Sequence, residues 1–231
     1  MTVARPQYCL ENAYDLFAAQ LQNLEADGAL LRATVAISMH EMPHVNYVEV
    51  EDRLQGLANR VLSRVRSDNP KALLAHAHAV LFDEEKFVGN VDNYYDPANS
   101  YIPEVLDNKR GIPITLCLIY KEVLERVGLH VVGTNSPGHF LASVWIDGNP
   151  MIVDPFTRGR VLSRAEARDR IAELVGDIDE DQNLFQPATS LGWLGRILQN
   201  LLVVFGQSQQ QASLAAMLEL QTLLARADEE K

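Results

Sequence analysis

The chain has 231 residues, 47% of them hydrophobic, which supports one sizeable core and excludes wholesale disorder. Its formal net charge of −11 argues against nucleic acid as a partner, because phosphate recognition needs clustered Lys and Arg. No stretch approaches a membrane span, and MTVARPQYCLENAYDLF at the start has no signal-type apolar run. Two scattered cysteines, Cys9 and Cys117, fit free thiols in a reducing compartment better than a disulfide framework. The expectation is a soluble cytoplasmic protein with no cofactor.

The first ninety residues read as helices. NAYDLFAAQLQNL sets Tyr14, Phe17 and Leu21 at helical spacing, and VEDRLQGLANRVLSRV does so with Leu54, Leu57, Val61, Leu62 and Val65. Between them, HEMPH at 40–44 matches the zinc-protease pattern H-E-x-x-H, which works only where a helix brings both imidazoles to one face. Pro43 breaks that helix, so it should stop by about Met42 and leave His40 and His44 apart, with no metal site. KALLAHAHAVLF forms a third helix entered through Pro70; its His76 and His78 point in different directions and are expected to be structural.

GNVDNYYDPAN is dense in turn formers and reads as an ordered loop. Ser100 is placed to cap a short helix, YIPEVLDN, and a longer helix follows from Ile112 or Pro113 to about Val127, ended by Gly128. The period then changes to that of strands in HVVGTN, HFLASVWI and PMIVDPF, separated by SPG and DGN turns. SRAEARDRIAEL returns to helix. LGWLGRILQNLLVVFG and ASLAAMLELQTLLARA then make a helical hairpin broken at GQSQQQ. The pattern predicts an α+β protein, with residues 1–185 as one domain that includes the N-terminal helices and 186–231 as a hairpin packed on it.

Cys117 on a helix, His139 opening a strand and Asp154 on the next strand supply the parts of a thiol, imidazole and carboxylate triad. Register supports the last two. A two-residue Asp147-Gly148 turn sets Ile146 opposite Asn149 and Leu141 opposite Asp154, so His139 shares a face with Asp154. Phe140, Ala142, Val144 and Ile146 form the apolar core side, and the Pro137-Gly138 turn should expose the imidazole at the rim of a cleft. Cys117 lies about one turn inside its helix, past the N-terminal turn where a thiolate is best stabilised. Its other reading is a small buried hydrophobe. Thr115 is a weaker candidate, since a hydroxyl needs stronger activation than a thiol.

YYDPANSYIPEVLDNKRGIPITLCLIYKEVLERVGL, followed by SPGHF and IVDPF, resembles the SirB-type branch of the transglutaminase-like superfamily over about residues 30–165. The resemblance implies a bacterial protein with a transglutaminase-like core and a tetratricopeptide-like helical tail, here long enough for one repeat. It also implies Cys, His and Asp as catalytic residues, the last two falling on His139 and Asp154. The G-x-C that opens the helix in active members is Gly111-Ile112-Pro113 here, which puts proline at the nucleophile position and Cys117 one helical turn later. Two functions follow: a catalytically degenerate module that binds a protein or peptide partner, or a thiol-dependent amide hydrolase or acyl transferase using Cys117.

Overall fold

The computed structural model describes residues 5–179 and 183–229. In chain order the elements are α1 (Glu11–Leu21), α2 (Ala29–Met39), α3 (Tyr47–Leu62), α4 (Pro70–His78), β1 (Val88–Gly89), α5 (Ile102–Asn108) and β2 (Arg110–Gly111). There follow α6 (Pro113–Arg126), β3 (Val131–Ser136), β4 (His139–Ile146), β5 (Asn149–Asp154), β6 (Arg160–Leu162), α7 (Arg164–Val175), α8 (Ser190–Gln207) and α9 (Gln211–Glu229). The class is α+β, as the change of hydrophobic period indicates. The chain divides into two compact units, one of residues 1–50, 95–107 and 189–231, the other of 51–94 and 108–188.

The first unit is helical. Its α2 is buried almost all round, and the hydroxyls of Thr34 and Ser38 satisfy themselves on the carbonyls of Leu30 (2.9 Å) and Thr34 (3.4 Å). The helix ends at Met39, as Pro43 requires; His40 caps it half-buried while His44 is exposed. Helices α8 and α9 bury Trp193, Ile197, Leu201, Phe205, Met217 and Leu220, and the hairpin between them turns at Gln209 with φ +58°. Glu219 on α9 accepts the backbone N–H groups of Gln7 (2.8 Å), Tyr8 (3.2 Å) and Cys9 (2.8 Å), tying down the N-terminal segment. Ser100 does not cap α5. It ends a 3-10 turn, Pro97–Ser100, that Asp96 caps instead.

The second unit is built on α6 and an antiparallel sheet in the order β3-β4-β5-β6. Pro113 occupies the first helical position of α6, where its missing N–H costs nothing, and residues Pro113 to Tyr120 are all buried. Each fully buried Leu or Ile in that run contributes about 2 kcal/mol. The register pairs Ile146 with Asn149 and Ala142 with Val153, which confirms the Asp147-Gly148 turn. A parallel pair of two residues each, β1 with β2, holds Val88 to Arg110 and Gly89 to Gly111.

Past His78, α4 widens into a π-helix, Ala79–Glu84. Its Phe82 ring stacks on Tyr120, and the Tyr120 hydroxyl meets His78 Nε2 at 2.7 Å. Arg60 on α3 joins Glu84 and Glu85, while Lys109 joins Glu85 at 2.7 Å.

Gly159, with φ +70°, lies against the Phe82 ring, so an added Cβ would fall inside it. The Gly159→Ala variant is therefore expected to lose about 2 kcal/mol or more of stability in urea unfolding. A second expectation concerns pH. Burial lowers the His78 pKa from 6.5 to about 4, so the unfolded chain binds the extra proton between these values. Stability from neutral His78 is complete above pH 6.5 and is lost as pH falls toward 4. Urea midpoints measured across that range should decline, and less steeply in His78→Gln.

Candidate functional site

Helix α6 and strands β4 and β5 carry the three residues singled out in the sequence. Ile112, extended at φ −85° and ψ 164°, offers no side-chain cap, and Pro113 starts the helix. Cys117 therefore sits one full turn inside. It is fully buried, and its sulfur donates to the Phe140 carbonyl oxygen at 3.5 Å. Burial pushes this thiol well above its usual pKa, and the nearby Asp154 charge adds to the effect. Thr115, two residues earlier, is also fully buried, with a hydroxyl that has no partner among the described residues.

His139 and Asp154 meet as the register indicates. The imidazole Nε2 and Asp154 Oδ2 are 3.1 Å apart, and both residues are almost entirely enclosed, at 3% and 1% exposure. The second carboxylate oxygen accepts the Phe156 N–H at 3.0 Å and so caps the turn Pro155–Thr157. The Phe156 ring stands edge-on to the imidazole, 6.0 Å away and at 89°. With Nε2 engaged by the carboxylate, a base function would fall to Nδ1.

The expected exposure of the imidazole is not found. Phe140, Ala142, Val144 and Ile146 are buried as the core side, but the mixed face is covered too. There Leu141, Ile152, Leu162 and Ala167 form a second small core with Phe185 packed against it. Strand β6 and helix α7 supply that cover. Ser163 opens α7 with a reciprocal capping box to Glu166, and Ala167 and Ile171, four residues apart, are its buried positions. The signal was present in SRAE and in that spacing, yet β6 itself is too short to read by alternation. Gly138, with φ +67°, also touches this layer: a Cβ there would lie 2.6 Å from Val175 Cγ1. The turn before His139 is thus closed by the end of α7. Asp154 lies at the edge of a cleft of about 300 Å³ beside α7.

The two cysteines are free and buried, and burial pushes Cys9 up to about 12. Among the described residues, no helix is long and apolar enough to cross a membrane, and no three His, Cys, Asp or Glu side chains group as metal ligands. The buried polar pair generates an expectation. Removing the carboxylate leaves a dry imidazole and the Phe156 N–H without an acceptor, so Asp154→Ala should cost about 3 kcal/mol, read from the urea midpoint.

A family model described as the transglutaminase-like superfamily matches residues 48–199. The chain is 33% identical over 186 residues to a UPF0162 protein of Xylella fastidiosa (strain 9a5c), covering 78% of this chain and 66% of that protein. It is 27% identical over 175 residues to the UPF0162 protein PA3419 of Pseudomonas aeruginosa, covering 75% and 62%. A third likeness is to F-box only protein 21 of Mus musculus, 33% identical over 105 residues, which cover 42% of this chain and 17% of that protein. The matched segment spans about two thirds of the length of these two bacterial relatives. No solved structure matches it. The helix, strand and turn that position Cys117, His139 and Asp154 all lie within the matched segment, and the chain belongs to the transglutaminase-like superfamily.

Proposed function

We propose that this protein is a catalytically degenerate member of the superfamily, of the SirB-type branch, that works in the cytoplasm as a protein- or peptide-binding module. One observation carries the reading: the Cys117 thiol is fully buried and spends its proton on the Phe140 carbonyl. Attack on an amide needs a thiolate within hydrogen-bond reach of its base and open to substrate. Burial opposes the thiolate here, and Pro113 stands where the motif of active members has the nucleophile. The helical hairpin α8–α9, read as a single tetratricopeptide-like repeat, suits protein contacts.

A second reading rests on the retained pair. His139 and Asp154 keep the hydrogen bond that orients an imidazole for base catalysis, which would serve a thiol-dependent amide hydrolase or acyl transferase using Cys117.

Thiol reactivity separates them. In a Cys9→Ser background, iodoacetamide at neutral pH should modify Cys117 slowly, and fast only after unfolding, as followed by intact mass. The same protein should release no ammonia from glutamine-containing peptides. Rapid alkylation that disappears in His139→Ala would overturn the binding-module reading and make the chain an enzyme.

A further inference from the structure

The sheet of the second unit has two outer edges, and they differ. Along β3 the edge is occupied by the segment around Pro187. Asn135 N–H donates to Gln186 O at 3.2 Å, Ala188 N–H donates to Gly133 O at 2.8 Å, and Thr134 bridges Pro187. Along β6, no further strand pairs among the described residues. A strand edge of this kind presents unpaired N–H and C=O groups that another extended chain can use.

The cleft of about 300 Å³ lies beside that edge. Strand β6 supplies Arg160 and Leu162, and α7 supplies Glu166, Asp169, Arg170 and Glu173. These α7 positions are spaced i, i+3, i+4 and i+7, so they form one helical face next to the one that buries Ala167 and Ile171. Arg160 is already taken by Glu166 at 3.0 Å, and Arg170 lies 3.6 Å from Glu173. Leaving aside Asp154, which is buried and engaged by His139 and Phe156, three carboxylates, of Glu166, Asp169 and Glu173, face two guanidinium groups. On the opposite face of β6, Val161 is half-exposed, across the strand pair from Val153.

We propose that the β6 edge takes up an extended basic peptide as an added strand, with a Lys or Arg side chain entering the α7 cleft. This rests on the reading of the chain as a binding module and names its partner chemistry. Main-chain hydrogen bonds along β6 provide the attachment, and alternate side chains of the added strand project to opposite faces. One set meets the excess carboxylates of the cleft, and the other lies beside Val161. The charge imbalance selects a cation over an acidic side chain, and steers its approach. Because β6 is three residues long, binding is in the micromolar range rather than tighter.

The test is fluorescence anisotropy with the full chain and a labelled peptide of about ten residues that alternates Lys and Val. That peptide should bind, and more weakly as salt is raised. Its Glu/Val counterpart should not bind, nor should a Lys/Val peptide N-methylated at alternate residues, which cannot pair as a strand. Charge reversal at two exposed positions, Asp169→Lys with Glu173→Lys, should weaken binding at least about tenfold while leaving the urea midpoint unchanged. Failure of the Lys/Val peptide to bind, equal binding by the acidic or N-methylated peptide, or indifference to the charge reversal would each overturn the proposal. A slow Cys117 combined with no peptide binding removes the β6 site alone. Fast, His139-dependent alkylation removes the functional reading on which it rests.

Discussion

Asp154 has two carboxylate oxygens and almost no water, and the centre of the second unit is arranged around satisfying both. One oxygen takes the imidazole of His139 and the other takes the backbone N–H of Phe156. Because an unpaired acceptor at such a place costs the full desolvation of the group, these two bonds constrain their surroundings. The first fixes β4 against β5 in a single register, since a slip by one residue would send His139 to the other face. The second forces the chain into a tight turn directly after β5, and that turn carries the Phe156 ring back against the imidazole. Gly89 belongs to the same arrangement. Its missing side chain leaves the room that the Phe156 ring occupies, and β1 is held there by its short parallel pairing with β2.

The thiol lies on the other side of the same physics. A carboxylate and a thiol in one dry region do not both ionise readily, and Asp154 adds to the burial that keeps Cys117 protonated. The proton is then useful as a donor, and the Phe140 carbonyl accepts it. Cys117 stands in the second turn of α6, an interior position without the orphan N–H groups and dipole end that favour an anion at a helix start. Pro113 at the first position removes one of those N–H groups outright.

Much of this could be read before any coordinates. The Asp147-Gly148 turn is a strong local signal, and from it the pairing of β4 with β5 and the meeting of His139 with Asp154 follow by counting. Pro43 ends α2 by backbone chemistry alone, whatever HEMPH suggests as a motif. The misread features depend on contacts distant in sequence. The strand alone predicts an exposed His139, but burial is decided by what packs on that face, where Leu162, Ala167 and Phe185 cover Leu141 and Ile152 and the Phe156 ring stands against the imidazole. Strands of two or three residues, such as β1, β2 and β6, are too short to show alternation. Ser100 has the neighbours of a helix cap, yet it lies inside a 3-10 turn of its own, Pro97–Ser100, which Asp96 caps. The π-helical turn after His78 gives no composition signal, and its Phe82 lies against Tyr120 and Gly159, both distant in sequence.

Helix α7 is then the element on which the site's character turns. Only Ala167 and Ile171 anchor it in the core, and the rest of its surface is charged or half-exposed. Such a helix derives its stability from packing a narrow stripe rather than from propensity. With β6 it covers Leu141 and Ile152 on the sheet face that His139 shares, and its Val175 lies against the turn at Gly138. On that face the His139–Asp154 hydrogen bond is made in a medium of low dielectric, where it is stronger than in water. Burial of the pair thus strengthens the tie between β4 and β5, while the charged face of α7 lies beside β6, along which no further strand pairs among the described residues.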